Sequence, residues 1–128
     1  MGLLPAGEVV RPYGVLGGQD VTGFAELAGA GGLFGTATEL LRFGEADLRG
    51  ELGTHWQEVQ FPAGLPPLCG GVAPGWFHSG GAVWHDGTAR GTRTALGFVP
   101  QSGLVVTLLV RGAAPVVGVR AGVPLLLL

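Results

Sequence analysis

VWHDGTARGTRTALGFVP, residues Val83 to Pro100, decides how this chain is read. Val83-Trp84 opens it as an apolar strand, which runs into the polar triplet His85-Asp86-Gly87, and Gly91 follows the histidine by six residues. Thr92 to Val99 forms a second strand signal, closed by a Pro100-Gln101-Ser102-Gly103 turn. Strand side chains alternate, so His85 and Asp86 point to opposite sides. Glycine within a strand lets a ligand or another backbone approach closely, and a strand edge at that point offers amide donors to an acyl oxygen. The stretch therefore reads as one wall of an active site. A plainer reading uses the same residues: Gly87 and Gly91 serve turns, and His85 is a surface residue.

Working outward, Leu104 to Val110 is nearly all apolar and predicts a central strand covered on both faces. Upstream, Gly75-Trp76-Phe77 reads as a strand, His78-Ser79-Gly80-Gly81 as a turn and Ala82 to Asp86 as the strand that returns. Successive strands joined by short turns predict an antiparallel meander. Glu51 to Gly71 is rich in proline and glycine and reads as a connector, and Met1 to Ala28 as irregular chain. Between them lies LAGAGGLFGTATELLRFGEADLRG, residues 27–50. Thr36 and Glu39 have capping-box spacing, in which hydroxyl and carboxylate satisfy exposed amide donors. Leu40, Leu41, Gly44 and Leu48 recur on one helical face, Arg49 falls in the last turn, and Gly50 supplies the stop. A helix over Thr36 to Arg49 is expected.

Composition narrows the function classes. The 128 residues fit one domain, and 47% apolar with 12% charged residues excludes intrinsic disorder. The chain has no lysine, which excludes a lysine base, a Schiff base and a phosphate-loop lysine. A formal net charge of −2 without a basic cluster speaks against nucleic acid. The apolar end from Val116, interrupted by Arg120, is too short to cross a bilayer, so no membrane span is expected. The sole cysteine, Cys69, has no nearby base in sequence and reads as an inert thiol. No cofactor is implied. Localisation stays open.

Other constellations are weaker. His78-Ser79-Gly80 shares the His-x-Gly form, but Trp84 stands six residues on where a glycine would be needed. Ser79, His85 and an aspartate could be called a triad, yet no G-x-S-x-G elbow places the serine. Gly29, Gly31 and Gly35 lack the preceding strand and spacing of a dinucleotide loop. His55, His78, His85 and Cys69 show no metal-ligand spacing.

The segment VWHDGTARGTRTALGFVPQSGLVVTLLVRG is similar to the third-motif region of the beta-lactamase-related serine hydrolases, which include class C beta-lactamases, D-alanyl-D-alanine carboxypeptidases and related esterases. Their third motif, Lys-Thr-Gly or His-x-Gly, has a glycine six residues after its first residue, as do His85-Asp86-Gly87 and Gly91. LAGAGGLFGTATELLRFGEADLRG resembles the glycine-rich turn and capped helix found upstream in that family. Together the two matches cover roughly residues 27 to 112. The resemblance implies an α+β, partial beta-lactamase-like (transpeptidase-like) fold, with an antiparallel sheet of about three to four strands and a packed helix. It gives His85 the substrate-orienting role of the family's lysine or histidine, Gly87 the room for an acyl group, and Thr88 a backbone oxyanion donor.

The departures matter equally. Without lysine the chain cannot contain the Ser-x-x-Lys nucleophile motif, and Tyr13 is not followed by the pattern of the second motif, Tyr-x-Asn. Residues 1–128 are therefore expected to form a single partial domain, the C-terminal portion of the fold, with 113–128 a loose tail. No catalytic nucleophile is expected, and the chain should be inactive alone. The implied partners are the absent N-terminal half or a second copy. The alternatives are a pseudoenzyme, an assembly or binding module, and a gene remnant.

Overall fold

The computed structural model describes residues 32–65, 69–89 and 92–111. Among these residues the one α-helix, α1, spans Ala37–Leu48. Thr36 caps it as expected: its Oγ1 accepts from the Glu39 amide at 3.2 Å, and Glu39 Oε2 accepts from the Thr36 amide at 2.8 Å. The Thr36 backbone donor holds the Glu39 carboxyl at about 2, well below its ordinary 4.5. The helix stops in a Schellman arrangement: the Gly50 amide bonds Asp47 O at 2.9 Å and the Glu51 amide bonds Ala46 O at 2.9 Å. Gly50 takes the left-handed conformation this requires, at φ 75°. Arg49 is the C-cap rather than part of the last turn, and its guanidinium pairs with exposed Glu51 at 2.6 Å.

A 3₁₀ turn at His55–Gln57 follows, then six strands: β1 Phe61–Leu65, β2 Cys69–Ala73, β3 Trp76–Ser79, β4 Ala82–Ala89, β5 Thr92–Val99 and β6 Leu104–Arg111. They form one antiparallel sheet in chain order. The meander is as expected, but the sheet has six strands among the described residues rather than three or four. Of the extra pair, β1 and the first three residues of β2 lie in the segment read as connector. Their residues have poor strand propensity, and Pro62 is tolerated because β1 is the end strand among the described residues. Pairing of Phe61 with Val72 and Pro62 with Gly71 then shifts register before Leu65 meets Cys69. Backbone ladder hydrogen bonds hold this pair, and hydrophobic patterning does not report them.

His78 and Ser79 also belong to a strand, β3, and the expected four-residue turn shrinks to Gly80-Gly81. Both glycines have positive φ, 56° and 87°, the pairing a type I′ hairpin needs.

Side chains divide between the sheet's two faces. On the α1 side, Trp56, Ala73, Trp76, Val83, Leu96 and Phe98 form a buried cluster joined by Leu40, Leu48 and Val105. Phe98 is fully buried, with edge-on Trp56 at 5.3 Å and Trp76 at 5.1 Å. Ala82, Trp84 and Ala95 form the second cluster with Phe77, Val99, Val106 and Leu108. The helix comes very close to the sheet at Gly44, where a Cβ would lie 2.6 Å from Leu96 Cδ1 and 2.9 Å from Val105 Cγ1.

β6 corrects one expectation. Its side chains do reach both clusters, yet it is the last strand of the sheet among the described residues, and Leu104 and Leu109 are each 44% exposed. An unbroken apolar run reports covered faces; it says nothing about which strand lies alongside. The 1–31 segment, Arg90, Gly91 and the tail from residue 112 lie outside the described residues. Within the described part no helix is long and apolar enough to cross a membrane.

Candidate functional site

β4 has two different halves. Ala82, Val83 and Trp84 pair with Ser79, His78 and Phe77 of β3. Beyond Trp84 the described pairing runs to β5 alone, with His85 opposite Leu96, Asp86 opposite Ala95, Gly87 opposite Thr94 and Thr88 opposite Arg93. The candidate motif therefore begins at the residue where β3 pairing stops. His85 and Thr88 are exposed, whereas Asp86 and Gly87 are half-buried.

Gly87 has a local reason to be glycine. A Cβ there would stand 2.6 Å from Thr94 Oγ1, so the cross-strand hydroxyl occupies the space a side chain would need. Thr94 also lines an apolar cleft of about 250 Å³, with Leu33, Phe34, Leu40, Phe43 and Leu109, between the start of α1 and the sheet. Gly87 and this cleft thus meet at Thr94. The His85 imidazole stacks on Phe77, with centroids 5.7 Å apart and planes 16° from parallel. Phe77 in turn lies 5.0 Å from Trp84, whose Nε1 donates to Ser79 Oγ at 3.3 Å.

The other histidines are placed elsewhere. The Nε2 of His78 is 2.6 Å from Trp56 O, tying β3 to the 3₁₀ turn. His55 lies in that turn and interacts electrostatically with Asp47. Ser79 is buried, with the Trp84 indole donating to its hydroxyl, so it is not disposed as a nucleophile beside exposed His85. Among the described residues no three of His, Cys, Asp and Glu are grouped to hold a metal ion.

Among the described residues, Asp47 is a buried carboxylate, 1% exposed near the end of α1. Burial pushes its carboxyl up from 3.8, against the opposing influence of His55 and a hydrogen bond with the Trp76 side chain. Its Oδ2 has no hydrogen-bond partner among the described residues, while its backbone carbonyl accepts from Trp56 Nε1 at 3.1 Å. Sequence reasoning gave Asp47 no role, because nothing about an aspartate in an amphipathic helix marks it as buried. Thr94 and Phe77 were more accessible to it. Pairing outward from Gly80-Gly81 brings Phe77 beside Trp84, and pairing from Ala89 and Thr92 brings Thr94 opposite Gly87.

A helix feeding an antiparallel meander thus carries a His-x-Gly triplet on β4 and an apolar cleft that reaches Gly87 through Thr94. A family model described as Beta-lactamase matches residues 3–127. The chain belongs to the beta-lactamase family. None of the curated proteins and none of the solved structures compared matches it.

Proposed function

We propose that the chain supplies the third-motif wall of a beta-lactamase-related serine hydrolase site, and that acyl transfer needs a serine and lysine from outside these 128 residues. The reaction of the assembled site is serine attack on an amide or ester carbonyl, formation of an acyl-enzyme, and release by water. His85 orients the substrate, Gly87 leaves the strand open beneath the acyl group, and the Thr88 amide supplies one oxyanion donor. In this reading residues 1–128 make one partial domain of a transpeptidase-like fold. The observation that carries it is the change in β4 at His85, where described pairing to β3 ends and the strand runs on beside Thr94 and the cleft.

The purified chain should turn over neither nitrocefin nor p-nitrophenyl esters. Turnover lost in His85→Ala, with a serine of this chain acylated, would overturn the proposal. Co-expression with a piece carrying Ser-x-x-Lys and Tyr-x-Asn should restore turnover that depends on His85. A second reading, a non-catalytic assembly module, is favoured by Leu33 at 60%, Phe43 at 41% and Leu109 at 44% exposure around the cleft. Restored turnover on co-expression would dismiss it.

A further inference from the structure

We infer that Phe77 is the positioning residue of His85, fixing the plane of the imidazole by ring stacking and leaving both ring nitrogens to a substrate. The inference rests on the proposed third-motif role of His85, but its geometry stands independently. Three rings run outward from the interior. Trp84 is 4% exposed and anchored through Nε1 to Ser79; Phe77 is half-buried against it; His85 lies exposed on Phe77 at 5.7 Å and 16°. A rigid, buried indole thereby limits the freedom of an exposed imidazole two contacts away.

The manner of holding matters chemically. A histidine at a site is commonly oriented through a hydrogen bond at one nitrogen, which fixes the tautomer and removes that nitrogen from substrate chemistry. His78 is held in that way, by Trp56 O. No described residue hydrogen-bonds the His85 ring, and its one ring contact is the face of Phe77. Stacking restrains the ring plane and leaves the perimeter, where the nitrogens lie, unoccupied. A pair of this kind favours the stacked rotamer roughly two- to tenfold, with the lower end apt for an exposed ring. Described pairing with β3 also ends at Trp84, so His85 is the first residue of β4 with no recorded β3 partner.

Heteronuclear NMR of the histidine rings in the isotopically labelled chain tests this, with His55 and His78 as internal references. His85 ring protons should carry a ring-current displacement that Phe77→Tyr keeps and Phe77→Leu removes, while Trp84 Nε1–H stays in place. At a pH where the imidazoles are neutral, the ring 15N shifts of His85 should report a mixture of tautomers and those of His78 a single one. Unmoved His85 protons in Phe77→Leu, or a single His85 tautomer, would sink the inference. Should Phe77→Leu not fold, nuclear Overhauser contacts between the Phe77 and His85 rings in the unsubstituted chain decide the matter, and their absence counts against it. Failure of the parent reading looks different: His85→Ala would leave complemented turnover unchanged although the stack is intact.

Discussion

Asp47 and Glu39 are carboxylates on one helix with opposite responses to acid. Asp47 is disfavoured as an anion by burial, so it has a raised value when folded and 3.8 ordinarily. Its contribution is complete below 3.8 and is lost as pH rises through the raised value. Glu39 has the reverse sign: its contribution is complete above 4.5 and is lost as pH falls toward about 2. Urea denaturation across acidic to neutral pH should therefore show a loss of stability on the alkaline side that Asp47→Asn abolishes, and a loss on the acid side that Glu39→Gln abolishes. If Asp47→Asn leaves the alkaline slope intact, the buried carboxyl is not its source. At Gly87, substitution by alanine should cost about 1 kcal/mol, because the new Cβ falls 2.6 Å from Thr94 Oγ1 and forces that exposed side chain off its rotamer. Thr94→Ala removes that oxygen, so the double variant should recover most of the loss in a urea melt.

At the scale of elements, α1 is nearly all visible in sequence because capping and amphipathicity are local. Thr36 and Glu39 show the start, Gly50 the stop, and Leu40, Gly44 and Leu48 one face. Thr36→Ala should cost about 1 kcal/mol by removing the cap, read as a lower urea midpoint with an unchanged slope. Gly44→Ala opposes two effects. The helix gains about 1 kcal/mol of propensity, but the Cβ meets Leu96 at 2.6 Å and Val105 at 2.9 Å. Overpacking of about 1–3 kcal/mol should win, and Val105→Ala in the same chain should narrow the deficit. β5 was legible from the turn at Pro100, and β4 as far as Asp86; the structure carries β4 on to Ala89, so Gly87 and Thr88 are strand residues that the polar triplet and glycine had disguised. β1 and β2 were hidden by Pro62, Gly70 and Gly71, residues that usually break strands. Gly71 is also small for a reason beyond pattern: a Cβ would come 2.6 Å from Val59 Cγ1. The position of β6 in the sheet escaped for another reason, because apolar content measures coverage of faces and β6 does contribute to both.

For the molecule as a whole, the consequence lies in the strand order. Every described pairing joins a strand to its neighbour in the chain, from β1 with β2 through β5 with β6. Closing each strand-to-strand step needs only a short loop, so the entropy of bringing neighbouring strands together is small, whereas docking α1 on β5 and β6 closes a far longer one. The sheet can thus grow one hairpin at a time, its only template the strand just laid down. On the proposed reading, a wall built in this way forms ahead of the part that would bring the nucleophile.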